Sequence, residues 1–230
     1  MKRKEKFFTL IELLITVAII AILAGMLLPA LNSSRQKARS ISCTNNLKTC
    51  GLRMTMYANS SDDYFPAAYD TAYWAFSLRR MDKGADGLEY RFDGYKEYRC
   101  PYDIVDTSGD QTTAPRATYG MNWSIADSPQ RAKNVRISDL SRQPKTWRTG
   151  TASTTILLGD TLFVDATRKF QYFDLVWNFP IHLRHSNRVN TLMGDMSAST
   201  LGVNGLRNSI RPTGTHNVRM EDYNTVVSIY

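Results

Sequence analysis

Phe8-Thr9-Leu10-Ile11-Glu12-Leu13-Leu14-Ile15-Thr16-Val17-Ala18-Ile19-Ile20-Ala21-Ile22-Leu23-Ala24-Gly25-Met26-Leu27-Leu28-Pro29-Ala30-Leu31 is an apolar run interrupted by a single charge, the carboxylate of Glu12. A helix that crosses the hydrocarbon of a bilayer needs about 20 apolar residues, and this run supplies them. A charge inside such a helix is costly, so a lone Glu in it points to a role. Lys2, Arg3, Lys4 and Lys6 precede the run, which is the layout of an export signal. The run nevertheless exceeds the roughly 7 to 15 apolar residues of a cleaved secretory signal, and a retained membrane helix is expected.

Composition places the rest of the chain. With 230 residues, 43% of them hydrophobic and 22% charged, it suits one membrane segment and one globular domain. The net charge of +8 is unevenly spread. Residues 1–7 carry +3, and Arg35, Lys37, Arg39, Lys48 and Arg53 add five positive charges with no acid between Glu12 and Asp62. Taking these and Glu12 from the total leaves about +1 for residues 55–230. The basic character belongs to a leader and a stalk. A nucleic-acid partner, which needs Lys and Arg on an exposed face, is not expected.

Residues 6–15, Lys-Phe-Phe-Thr-Leu-Ile-Glu-Leu-Leu-Ile, resemble the start of bacterial type IV prepilins and type II secretion pseudopilins. The resemblance implies a prepilin peptidase and methyltransferase that cuts between Phe7 and Phe8 and methylates the new Phe8 amine. It implies that Glu12 acts in assembly, and that the partners are other pilin-like subunits, an inner-membrane assembly platform and the lipid bilayer. Phe7 stands where the family usually has Gly. Two roles are open to Glu12 on physical grounds. In a bundle of like helices the α-amino cation of one subunit could neutralise Glu12 of another and set their register. Alternatively, Glu12 is a helix-start residue favoured by the helix dipole. Lys and Arg flank both ends of the span, four before it and four within 20 residues after it, so the positive-inside rule does not orient it. The resemblance implies a cytoplasmic leader and an extracytoplasmic C-terminal domain.

After the span, Pro29 removes one helical hydrogen bond, and the helix is expected to continue. Leu47, Cys50, Met54 and Tyr57 fall at the 3-4-3 spacing of a helical stripe; Gly51 weakens it by about 1 kcal/mol relative to Ala. Asn59-Ser60-Ser61-Asp62-Asp63 is a turn cluster that ends the helix. Beyond it, Asp86-Gly87, Asp93-Gly94 and residues 106–115 are turn signals. Strands are expected over Thr118–Ile125, Thr154–Leu158 and Gln171–Val176, and as a hairpin over Val189–Met193 with Ser197–Val203. With no crossover helices the sheet should be antiparallel. The expected organisation is a leader at 1–7, a membrane helix at 8–31, a stalk helix at 32–58 and a β-rich domain at 59–230. The fold class is α+β, with a long N-terminal helix packed on an antiparallel sheet.

His185-Ser-Asn-Arg-Val-Asn-Thr-Leu-Met-Gly-Asp195 is similar to the His, nine residues, Asp-Gly element of a large pseudopilin-like family. Met196 takes the place of its Gly, which would permit a positive φ in a tight hairpin. Ser42-Cys43-Thr44-Asn45-Asn46-Leu47-Lys48, Asp63-Tyr64-Phe65-Pro66, Cys100-Pro101 and Tyr119-Gly120-Met121-Asn122 resemble further pieces of that family. Through these matched segments, the resemblance makes Cys43 with Cys100 the preferred disulfide, and three free thiols are the other state. Cys50, on the apolar stripe, reads as a buried thiol.

His182, His185, Asp160 and Asp195 are the one set that suggests an enzyme or a metal. A structural hydrogen bond between His185 and Asp195 across the final hairpin is the preferred reading, ahead of a metal site and ahead of a calcium site on Asp160 and Asp195. No C-x-x-C pair, phosphate loop, G-x-S-x-G or H-E-x-x-H motif occurs. No metal, cofactor or catalysis is expected. The reading is a membrane-held structural subunit of a pilus-like or pseudopilus assembly. The alternatives are an uncleaved, signal-anchored domain with a ligand site near His185 and Asp195, or a DNA-uptake pilin.

Overall fold

The computed structural model describes residues 9–66, 74, 75, 77, 78, 97–102, 119–122, 151–164, 169, 170, 181–209, 217–220 and 226–228. Phe7 and Phe8, the Asp86-Gly87 and Asp93-Gly94 turns, the 106–115 loop and the Gln171–Val176 strand lie outside these residues.

The chain divides into two compact units, Met1–Ala38 and Arg39–Tyr230. Helix α1, Leu10–Asn59, runs on through Pro29 without a break. It ends at the expected cluster, where Asp62 and Asp63 take φ of 51° and 68° and the Asp63 N–H returns to the Ala58 carbonyl at 2.8 Å. These left-handed residues satisfy helical carbonyls left open at the C-terminus, and Asp tolerates that conformation better than most side chains. In the first unit, residues 10–38 are exposed all round. Among the described residues, α1 is the one helix long and apolar enough to cross a membrane; its 29 residues from 10 to 38 rise roughly 44 Å.

In the second unit, strands β1 (Gly120–Met121), β2 (Ile156–Gly159), β6 (Val189–Met193) and β7 (Ala198–Leu201) make an antiparallel sheet in the order β1-β2-β6-β7. A short 3₁₀ turn, Ala152–Thr154, leads into β2. Strands β3 (Phe163–Val164) and β4 (Lys169–Phe170) pair separately. The four-stranded sheet is antiparallel, as expected; in a separate three-stranded sheet β5 (Ile181–Leu183) pairs parallel with β8 (Asn217–Met220), and β9 (Val226–Ser228) pairs antiparallel with β8. Parallel pairing needs a long connection. Here the chain between β5 and β8 includes β6, β7 and helix α2 (Val203–Ser209). The β6–β7 hairpin is as expected, although β7 stops at Leu201 because α2 begins two residues later.

All five residues of β6 are buried, because the strand is covered on both faces. Its alternate residues Val189 and Met193 join Ile156, Ile181, Leu183 and Leu206 of α2 in one cluster. Leu192 joins Cys43, Leu47, Cys50 and Met54 of α1 and Trp74, Tyr98, Tyr119 and Leu158 in the other. The alternation follows from the period of two in a strand. On the α1 side, Asn190 Nδ2 donates to the Ser40 carbonyl and lies equally close to Ser40 Oγ, both at 3.1 Å. Gly51 lets the helix approach, since a Cβ there would stand 2.9 Å from Leu192 Cδ1. The helical stripe read from sequence is therefore the docking face, with Tyr57 only partly buried at its end.

Candidate functional site

Among the described residues two features carry chemistry. The first is the start of α1. Thr9 N–H and Thr9 Oγ1 each donate to Glu12 Oε2 at 2.8 Å, and the Glu12 N–H returns to Thr9 Oγ1 at 3.3 Å. This is a reciprocal capping box, in which an N-cap Thr and a Glu three residues on satisfy each other's backbone donors. Its signal, the Thr-x-x-Glu spacing, is legible in the sequence and adds a specific partner to the dipole reading of Glu12.

The second feature lies in the interior of the second unit. Cys43 of α1, Cys100, Asp160 and His185 converge there, all buried, with one donor atom from each lying within 4.8 Å of the others. Cys43 comes from the buried face of α1. Cys100 is delivered by residues 97–102, which lie along the helix: Asn46 Nδ2 donates to the Arg99 carbonyl at 2.9 Å, Arg53 pairs with Glu97 at 3.1 Å, and the Arg53 and Arg39 guanidiniums stack over Tyr98 and Tyr102 at 5.3 and 4.9 Å. Asp160 follows β2. The β2–β6 register slips by one residue between Ile156 and Leu158. A one-residue slip exchanges the two faces of a strand, so the position of Asp160 comes to face α1. His185 begins a two-residue turn in which His185 and Arg188 exchange backbone hydrogen bonds at 3.0 and 3.1 Å, with Ser186 and Asn187 at φ of 53° and 57°. Two consecutive positive φ values mark the tight hairpin that matches strand twist.

Within the cluster, His185 Nε2 lies 3.2 Å from Asp160 Oδ2 and 3.3 Å from Cys100 Sγ, and Cys43 Sγ lies 3.7 Å from Asp160 Oδ2. The Tyr119 hydroxyl donates to the Cys43 carbonyl at 3.2 Å and stands 3.3 Å from its Sγ. Arg184 Nε is 3.9 Å from Asp160 Oδ1, while its Nη2 donates to the Thr161 carbonyl at 2.7 Å. Burial pushes the Asp160 carboxyl up, but Arg184 and His185 outweigh it and hold it below the ordinary carboxylate value. Burial pulls the His185 imidazole down, and the Asp160 and Cys100 contacts overcome that and raise it to about 9. Burial, then the Cys43 thiol and the Asp160 charge, push the Cys100 thiol well up. Cys43, Cys50 and Cys100 are all free thiols.

The structure corrects one expected pairing. His185 meets Asp160, not Asp195. The two ends of the His185-to-Asp195 element are separated by β6, whose five residues span roughly 13 Å, so they cannot touch. Asp195 is exposed in the hairpin turn, where its Oδ1 accepts from the Ser197 N–H at 3.0 Å and Oγ at 2.6 Å. An Asp160–Asp195 calcium site is excluded by the same separation of environments. Cys43 and Cys100, paired through resemblance, do come together, as thiols. Cys50 is buried apart from the cluster, its Sγ donating to the Glu97 carbonyl at 3.5 Å. Tyr119, quoted in the sequence only within a segment resembling the family, and Arg184 were not read as site residues, because neither residue type signals a site without its neighbours. Met196, in the place of the family's Gly, takes a φ of 64°. Met193 N–H to the Ser197 carbonyl at 2.8 Å and Met196 N–H to the Met193 carbonyl at 2.9 Å close a three-residue hairpin loop, whose third position requires that conformation.

Residues 3–28 match the model of the prokaryotic N-terminal methylation motif. A 62-residue segment, 27% of this chain, is 44% identical to the type IV wide pilus major component PilA4 of Thermus thermophilus. That segment spans 47% of the relative's length. No solved structure matches the chain. The N-terminal segment of this α+β chain, a long apolar helix start with Glu12 near its head, is thus a prepilin-type methylation segment like those of type IV pilins.

Proposed function

We propose that this protein is a structural subunit of a type IV pilus-like or type II secretion pseudopilus assembly, not an enzyme. One observation carries the reading: a prepilin-type methylation motif at residues 3–28 opens a helix whose apolar side chains from Leu10 to Leu31 are exposed on every side. A helix apolar all round is stable only when covered by lipid or by other helices. The prepilin would insert in the inner membrane as a single pass, with leader 1–7 cytoplasmic and the domain from residue 59 extracytoplasmic. Residues 8–31 span the bilayer and residues 32–58 form the stalk. A prepilin peptidase would cut between Phe7 and Phe8 and methylate Phe8, and an assembly platform would move the subunit from lipid into a bundle of like helices. The Thr9–Glu12 cap survives that cut, because both residues and the Phe8–Thr9 peptide bond remain. In the filament, Glu12 would pair with the amine of a neighbouring subunit.

Intact mass and N-terminal peptide mass spectrometry of the protein extracted from membranes of a host carrying a prepilin peptidase test this reading. The expected mature chain starts at N-methylated Phe8. Finding Met1 to Phe7 still attached in the functional protein would leave an uncut membrane anchor and refute the proposal.

A further inference from the structure

We propose that Cys43, Cys100, Asp160 and His185 bind one zinc ion that ties α1 to the sheet domain. This reverses the sequence-based expectation of a metal-free domain, and it stands whichever assembly the protein serves.

The spacing of the donors supports it. Four protein ligands on zinc, with bonds of about 2.0 to 2.3 Å, sit at tetrahedral corners separated by about 3.3 to 3.8 Å. The cluster shows 3.2 Å from His185 Nε2 to Asp160 Oδ2, 3.3 Å from His185 Nε2 to Cys100 Sγ, and 3.7 Å from Cys43 Sγ to Asp160 Oδ2. These three of the six edges are close to those of such a tetrahedron, and all six lie within 4.8 Å. The 3.2 Å N···O separation is longer than the roughly 2.7 to 2.9 Å of a charge-assisted N–H···O bond, while the two sulfur distances suit a hydrogen bond to sulfur as well as a shared metal.

The donor set selects the metal. Two thiolates with one imidazole and one carboxylate suit tetrahedral zinc. Calcium takes six or more oxygens, and an iron–sulfur cluster takes four thiolates. With all four ligands supplied by the protein and buried, no coordination position is open to substrate, which makes the site structural. On binding, the two thiol protons and one His185 ring proton leave to solvent. Two thiolates and one carboxylate against Zn²⁺ leave one net negative charge, which Arg184, 3.9 Å from Asp160, faces. The Tyr119 hydroxyl, 3.3 Å from Cys43 Sγ, is placed as an outer-shell donor of the kind that orients metal ligands.

The test uses the full chain, expressed in zinc-supplemented medium and extracted in mild detergent without chelator. Elemental analysis should find about one zinc per chain in the wild type and in Cys50→Ala, and at least about a tenfold lower content in Cys100→Ser and His185→Ala. Exchange of the wild-type protein into Co²⁺ should give the visible bands of a tetrahedral centre with a thiolate charge-transfer band; this reading needs no variant to fold. A wild-type chain without metal, a Cys43–Cys100 disulfide in its peptide map, or zinc unchanged in both ligand variants would overturn the proposal.

Discussion

Gly51 offers the sharpest test of how α1 docks. It lies inside the helix and is buried, a place where Ala is favoured over Gly by about 1 kcal/mol. The added Cβ would stand 2.9 Å from Leu192 Cδ1, 3.6 Å from Leu192 Cδ2 and 3.5 Å from the Met196 carbonyl oxygen. Leu192 is fully buried on the central strand and has little room to yield, and overpacking of this sort costs about 1 to 3 kcal/mol. Gly51→Ala should therefore destabilise the protein by about 1 kcal/mol net, and Gly51→Val, which regains less helix propensity and adds two methyl groups, by about 3 kcal/mol. Leu192→Ala alone should cost about 2 to 5 kcal/mol through its cavity. In that background the new methyl at position 51 has space, and Gly51→Ala should stabilise by about 1 kcal/mol. The cycle then gives a coupling near about 2 kcal/mol. Urea unfolding of the detergent-solubilised full chain, followed by near-ultraviolet circular dichroism, measures all four corners. Stabilisation by Gly51→Ala in the wild-type background, additive with Leu192→Ala, would refute the close approach.

The capping box makes Glu12 separable into two functions: Glu12→Gln can keep the cap, since Gln also serves at that position, while Glu12→Val cannot. If charge pairing drives assembly, both variants should insert in the membrane yet fall in the sheared filament fraction; a Gln variant that incorporates like wild type would assign Glu12 to the cap alone. At Met196, with its φ of 64°, Met196→Val should lose about 1 to 2 kcal/mol because a β-branched residue resists that conformation. Met196→Gly should stay within about 1 kcal/mol of wild type as relief offsets lost packing, and equal urea midpoints for the two variants would contradict this. Burial pushes the Cys50 thiol far above its ordinary range. An unfolded Cys ionises near pH 8.5 and the folded one does not, so its contribution is complete below about pH 8.5 and is lost as pH rises beyond it. Cys50→Ala should flatten the decline in stability between about pH 8.5 and 10.5, and parallel curves for the two proteins would count against the burial of this thiol.

Local patterns determined much of this protein by themselves. The run from Phe8 to Leu31 fixed a membrane-length helix because length and apolarity suffice for that conclusion, and the 3-4-3 spacing of Leu47, Cys50, Met54 and Tyr57 located the docking face because helical period is local. The Asn59–Asp63 turn and the hairpin after Val189 were legible for the same reason. The cluster was not. Cys43, Cys100, Asp160 and His185 each stood out in the sequence, yet they were distributed among different readings, and His185 was given the wrong partner because Val189–Met193, although read as a strand, holds its two ends roughly 13 Å apart. Their meeting depends on a one-residue slip between β2 and β6 that turns Asp160 toward α1, on a two-residue turn that anchors His185, and on residues 97–102 lying along the helix. Register and long-range docking are set by how whole elements pack, so the ligand set exists only in the tertiary structure.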